Sequence, residues 1–356
     1  MKQSEILQFY NGKRVLVTGH TGFKGSWLTM LLRNAGASVT GYALEPQTEP
    51  SLFQLAGLSS GIHHVIGDIR DYDHLEETFR RFQPEIVLHL AAQPIVRTSY
   101  QEPRYTYETN VMGTVNICEC VRNHECVRSF LNVTTDKVYL NREWCWGYRE
   151  NEPLDGFDPY SNSKSCSELV THAYINSFYR NVAVSTARAG NVIGGGDFSV
   201  DRIIPDCVRA VADGQIMRIR NPHSVRPYQY VLEPLFMYLN ICAEQYLDAS
   251  KAGSYNIGPD DRDCITTEEL VKLFAEFYPE KFRYEICAEQ NAVHEANFLR
   301  LDTRLVKSVF AWQPVWGIRK AVEKTVEWTR CWLDGDPVEP VMNAQIKEYV
   351  GGTHNE

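Results

Sequence analysis

Apolar residues follow two rhythms along this chain. Val15, Leu16 and Val17 form a short unbroken run, and Trp27, Leu28, Met30, Leu31 and Leu32 then recur at helical spacing. The first pattern predicts a buried strand and the second an amphipathic helix. Further strand-like runs fall at residues 38–44, 63–68, 85–90 and 130–133, and a helix opened by Asn110 is predicted over 111–122. Strands alternating with helices predict an α/β fold on a doubly wound parallel sheet. Residues 202–210, 234–247, 266–277 and 320–333 read as later helices, the third capped by Thr266 with Glu269 at its N3 position. Residues 255–258 read as a late strand that returns to the sheet. The expected organisation is therefore interleaved, with no linker. Residues 1–187 and 232–262 would form a dinucleotide-binding domain, and 188–231 and 263–356 a smaller substrate lobe.

What lies between the first strand and helix gives the pattern chemical content. Gly19, Gly22 and Gly25 occupy the turn, together with Thr21, Phe23 and Lys24. Such a turn brings backbone amides at a helix N-terminus up to a pyrophosphate. In a sheet of this type ligands gather at the carboxyl ends of the strands. Asp68 and Ile69 stand at one such end, placed to meet an adenine ring. Ala91, Ala92 and Gln93 follow another, where small side chains admit a ligand near the backbone. No Lys or Arg occurs between Gly41 and Ile69. A 2′-phosphate would want such a cation, so NAD is favoured over NADP unless Lys24 or Arg33 supplies the charge.

Tyr160 and Lys164, four residues apart, project from one face of a predicted helix. A neighbouring ammonium favours phenolate, which makes Tyr160 a candidate proton acceptor for a hydroxyl being oxidised. The net charge of -9, with no basic tract, argues against a nucleic-acid backbone as partner. The ten cysteines include no Cys-x-x-Cys pair. Cys118, Cys120 and Cys126 near His124 lack metal-ligand spacing, so reduced thiols and no metal are expected. Residues 1–11 carry no signal-like apolar segment and no run reaches membrane-spanning length. A cytoplasmic protein with no membrane partner is expected.

Taken together, Gly19 to Gly25, Asp68-Ile69, Thr135 and the Tyr160/Lys164 pair resemble the extended short-chain dehydrogenase/reductase family of sugar-nucleotide epimerases and dehydratases. The resemblance covers nearly the whole chain and implies a Rossmann-type nucleotide domain. Longer stretches, at 20–28, 67–71, 91–94, 135–137, 143–150 and 188–197, are similar to the branch that dehydrates CDP-glucose. That resemblance implies an NAD-dependent lyase making a 4-keto-6-deoxy sugar by oxidation at C4, loss of water across C5 and C6, and return of the hydride to C6. It also implies a homodimer and a supply of deoxysugar for polysaccharide. Thr135 would orient the 4-hydroxyl, Tyr160 take its proton, and Lys164 hold the nicotinamide ribose. Asp136 would protonate the departing 6-hydroxyl. Lys137 stands where related dehydratases carry a Glu base, and either takes the C5 proton or steadies the enolate. Val138 also departs from the small polar residue or Cys expected there. For the substrate, Asn191 and Arg226 lead, followed by Arg202, Arg220 and His294. Trp144, Trp146 and Tyr148 read equally as core or as stacking groups. A 4-epimerase or reductase on the same Tyr/Lys pair, and a dinucleotide-sensing regulator without chemistry, stay open as alternatives.

Overall fold

The period-two alternation along the strands decides how the sheet is covered. The computed structural model describes residues 1–219, 221–287 and 299–352. Its sheet opens with β1 (Arg14–Thr18), β2 (Ser38–Ala43), β3 (His63–Ile66), β4 (Ile86–His89), β5 (Ser129–Val133) and β6 (Ala183–Ala189). A seventh strand, Ser254–Ile257, pairs beside β6, giving the order Ser254–Ile257, β6, β5, β4, β1, β2, β3. All of these pairings are parallel. Val15 and Val17, Ile86 and Leu88, and Leu131 and Val133 pack on one face with the helices Phe23–Asn34 and Leu232–Leu247. Leu16, Val87 and Phe130 point the other way, into a second core beneath the helices Tyr72–Phe82 and Gly113–Asn123.

The late strand and the helix Leu232–Leu247 belong to the sheet layer although they follow a long excursion. In that excursion the chain forms the helix Ile203–Ala212 and the strand Val225–Pro227, with which Cys264–Thr266 pairs once the chain has left the sheet again. Trp27 joins the excursion to the first helix of the sheet layer, donating its indole N–H to the Gly195 carbonyl at 3.0 Å. The helix Thr267–Phe277 carries the expected capping box of Thr266 and Glu269.

Two terminal helices, Gln3–Tyr10 and Val338–Gly351, were not read from sequence. The second is tied down by Glu233, whose Oε1 accepts the Val315 and Trp316 amides at 2.9 and 2.7 Å while Oε2 accepts the Tyr349 hydroxyl at 2.8 Å. Burial pushes this carboxyl up to about 8. The folded chain therefore holds a proton there that the unfolded chain releases above the ordinary carboxylate range. Stability is greatest below that range and declines as pH rises through about 8. Glu233→Gln copies the protonated form. It should raise Tm by about 3 °C or more on the alkaline side and lose that advantage near pH 4.5, the ordinary value of the carboxyl. Scanning calorimetry at the two pH values checks this, and an equal effect at both would contradict the assignment.

Candidate active site

The glycine turn follows from steric demands in the backbone. Gly19 has φ +74°, and a Cβ there would lie 2.8 Å from the Ala91 nitrogen. A Cβ on Gly25 would sit 2.1 Å from the Gly19 carbonyl oxygen, so only glycine lets the helix close on the turn. Gly22, the N-cap residue of Phe23–Asn34, is exposed and supplies no side-chain cap. The first-turn amides are thus left to face an anion, as a pyrophosphate cradle requires. A dinucleotide fits these residues. Thr21 turns its hydroxyl back to the Leu44 carbonyl, at 2.9 Å. Phe23 packs toward Gly194. Arg33 is paired with Glu339, and Lys24 faces the far end of the site, so neither of the two cations weighed for a 2′-phosphate stands at the end of β2.

At the end of β3, Asp68 is engaged rather than open. Arg70 donates to its two carboxylate oxygens at 2.6–3.1 Å, and its backbone N–H adds another bond at 2.9 Å. Those side-chain bonds lower the Asp68 carboxyl. An adenine amino group would have to compete with Arg70 for the same lone pairs. Ile69 is buried nearby, and its side chain fills the space a Cβ on Gly113 would need. Beyond β4, Ala91 and Ala92 remain half-buried, while the Gln93 side chain is spent on Thr106, in the helix Pro103–Tyr107, and on the Ile95 amide.

Asn110 corrects the sequence reading. It does not open a helix but lies within a single π-helical stretch, Glu108–Met112, that leads into Gly113–Asn123. The extra residue in that turn aims its side chain inward. Asn110 accepts the Gln93 amide at 2.8 Å and donates to Ser163 Oγ at 2.9 Å, next to Lys164. No sequence signal marks a π-turn.

The end of β5 and the helix Pro159–Ser177 meet at the centre. Asp158 caps that helix, accepting the Ser161 amide at 3.0 Å. Thr135 Oγ1 donates to Asp136 Oδ1 at 3.0 Å, and the same hydroxyl acts on the Tyr160 phenol. Lys137 Nζ also donates to Asp136 Oδ1, at 3.1 Å. Asp136 is 1 % exposed, and its Oδ2 is buried without a hydrogen-bond partner. Burial pushes the Tyr160 phenol up to about 12; the Thr135 bond and then the Arg202 charge oppose this. The acidifying effect expected of Lys164 is not the leading one, because its ammonium is turned to the Val133 carbonyl at 3.1 Å. Burial lowers Lys164 to about 8, with Glu168 acting against it.

Lys24 enters from the glycine turn. Burial and the cations of Arg202 and Lys164 push it down to about 7, against Asp136 and Asp197. Its ammonium lies 5.8 Å from the Tyr238 ring centroid. Arg202 is paired with Asp197 at 3.1 Å. Asn191 has a buried Oδ1 without a hydrogen-bond partner. Arg226 is buried in the short strand Val225–Pro227, opposite Ile265. Arg220 and His294 lie outside the described residues. Of the three aromatics after Lys137, Tyr148 is core, stacked between Tyr139 and Trp144, whereas Trp146 is 67 % exposed. Cys118 and Cys120 are buried thiols, and His124 pairs with Glu76. Among the described residues no helix is long and apolar enough to cross a membrane.

Missed altogether was Glu168, one helical turn beyond Lys164. A carboxylate continuing the spacing of Tyr160 and Lys164 was a legible sign, since it must share their face.

Comparison with known proteins bears on this constellation. A family model described as GDP-mannose 4,6 dehydratase matches residues 16–325. The chain is 45% identical over 353 residues to a CDP-glucose 4,6-dehydratase of Salmonella typhimurium, covering 97% of this chain and 98% of the relative. It is 24% identical over 341 residues to a CDP-paratose 2-epimerase of Salmonella typhi, covering 89% and 99%. Among solved structures, epimerase Mth375 of Methanothermobacter thermautotrophicus superposes with TM-score 0.79 at 21% identity, covering 93% of this chain and 96% of that one. MoeE5 in complex with UDP-glucuronic acid and NAD gives TM-score 0.77 at 23% identity, covering 90% and 99%.

Proposed function

This chain belongs to the GDP-mannose 4,6 dehydratase family, and we propose that it is an NAD-dependent nucleotide-sugar 4,6-dehydratase that converts CDP-glucose to CDP-4-keto-6-deoxyglucose. The observation that carries the reading is the grouping of Thr135, Asp136 and Lys137 around Tyr160, with Thr135 bonded to the Asp136 carboxylate and acting on the phenol. An epimerase on the same Tyr/Lys pair has no use for an acid at C6. The 45% identity to a CDP-glucose 4,6-dehydratase supports the choice of substrate.

NAD, when bound, supplies reversible hydride acceptance, taking from C4 and giving to C6. The chain's own residues do the rest. Tyr160 Oη receives the proton of the 4-hydroxyl, which Thr135 Oγ1 orients. Lys164 holds the nicotinamide ribose. The resulting 4-keto group acidifies the C5 hydrogen, and Asp136 gives a proton to the departing 6-hydroxyl. Asp136 Oδ2, buried and without a partner, is the oxygen available for that proton. Lys137, 3.1 Å from Oδ1, takes the C5 proton as Asp136 gives up its own, so that elimination leaves the two as an ammonium–carboxylate pair and the cation steadies the enolate. Asn191, Arg202 and Arg226 are assigned to the nucleotide sugar, the two arginines through bidentate bonds to phosphate oxygens.

The test is a panel of CDP-, UDP-, GDP- and dTDP-glucose turned over in D2O. CDP-glucose should be used in strong preference and the product should carry deuterium at C5. A product without label at C5 would leave only the epimerase or reductase reading.

Two copies are proposed to pair through the helices Gly113–Asn123 and Pro159–Ser177. Met112 and Leu169, in or beside those helices, are exposed apolar side chains, 51 % and 53 % accessible. Sedimentation should give twice 40.8 kDa, and Leu169→Glu should shift the mass toward one chain. A wild-type protein sedimenting as a single chain contradicts the pairing.

A further inference from the structure

Beneath the catalytic groups lies a buried ion pair that touches none of the reacting atoms. Glu168 and Arg188 have side chains 0 % and 1 % exposed. Arg188 grips the carboxylate in a fork, Nε to Oε1 and Nη2 to Oε2, each at 2.9 Å. Two hydroxyls donate as well, Thr134 Oγ1 to Oε1 at 2.5 Å and Thr186 Oγ1 to Oε2 at 2.7 Å, and His172 Nε2 lies 3.8 Å from Oε2. Thr134 is the residue before Thr135, and Glu168 is one turn beyond Lys164. Arg188 also donates through Nη1 to the Tyr139 hydroxyl and the Glu150 carbonyl, both at 2.8 Å. Tyr139 passes the chain on to Asn256 at 2.6 Å. One carboxylate thus ties the catalytic helix, the end of β5, β6 and the loop after Lys137.

We propose that Glu168 is the positioning residue of this active site: through Thr134 and Arg188 it holds the end of β5 against the catalytic helix, so that Thr135 meets Tyr160 and Lys164 in register. Two buried charges cost desolvation that apolar side chains of the same size would not. A pair kept at this junction, with its carboxylate satisfied by four donor groups, suits fixed geometry better than added stability. Thr135 and Tyr160 stand on separate elements, so their placement is only as exact as the tether between those elements. The Glu168 charge also favours the ammonium form of Lys164. The inference deepens the dehydratase reading and rests on it for its activity measurement.

The test compares wild type, Glu168→Gln and Thr134→Val, with NAD and CDP-glucose supplied, by steady-state kinetics and by amide hydrogen exchange over residues 129–138. Thr134→Val keeps the ion pair and the side-chain volume, removing one donor, so it stays informative should Glu168→Gln fail to fold. The expected result is a fall in kcat of about 10²-fold for Glu168→Gln and about tenfold for Thr134→Val. KM should stay within about twofold, and exchange should quicken over the stretch that contains Thr135. Unchanged kcat in Thr134→Val, a rise in KM alone, or unaltered exchange over 129–138 would overturn the proposal. A wild-type chain that does not turn over CDP-glucose overturns the reaction instead, and the exchange measurement then decides the tether alone.

Discussion

Tyr160→Phe should lose turnover by about 10²–10⁴-fold, the range carried by a positioned acid or base, with KM changed little. The ring stays, the helix capped by Asp158 stays, and one hydroxyl goes. That hydroxyl receives the first proton, so loss should appear at the earliest step. Mixed with CDP-glucose, the variant should fail to develop the reduced-nicotinamide absorbance that marks C4 oxidation. The phenol rests at about 12 because it is buried, opposed chiefly by Thr135 and Arg202. Its proton-accepting form therefore depends on neighbours, and Thr135→Val should lower the same step by a smaller factor. A Tyr160→Phe protein that still oxidises C4 at a wild-type rate would remove the phenol from the mechanism.

Asp136→Asn should separate the two halves of the reaction. The amide is isosteric and retains a hydrogen-bond link to Lys137, so binding and C4 oxidation should survive within about tenfold. It cannot deliver a proton to the 6-hydroxyl. Elimination should fall by about 10²–10⁴-fold. In a stopped-flow experiment the nicotinamide absorbance should rise and stay up, with no 4-keto-6-deoxy product. Solvent deuterium should distinguish the roles further. With Lys137 taking the C5 proton, Lys137→Met should stop exchange at C5 without abolishing C4 oxidation. Equal loss of oxidation and elimination in Asp136→Asn would contradict its role as the acid.

Much of this site is legible before any coordinates because steric demands are written in residue types. Gly25 has no alternative when a Cβ would lie 2.1 Å from a carbonyl oxygen, and the short unbroken apolar runs read as strands covered on both faces. The capping box at Thr266 is similarly local. The partners that side chains choose were not legible, whether near or far in sequence. Asp68 shows its place at a strand end but not that Arg70 engages both its oxygens. Lys164 shows its spacing from Tyr160 but not that its ammonium turns to Val133. Asn110 was misplaced because a π-turn leaves no periodic trace. Lys24 read as part of the cofactor turn, whereas its surroundings also include Asp136, Asp197 and Arg202. Residues that serve two neighbourhoods are the ones a one-dimensional reading assigns to one.

The strand Ser254–Ile257 reaches the sheet only after the chain has laid down the helix Ile203–Ala212 and crossed back through Leu232–Leu247. During synthesis, β6 therefore waits with an unpaired edge until residue 257 has left the ribosome. A nascent chain stalled before that point would expose that edge, and the apolar face meant for Leu232–Leu247, to chaperones or to other chains. Fragments cut within this crossing should accordingly be rescued by co-expression with the missing piece, not by lowering temperature alone.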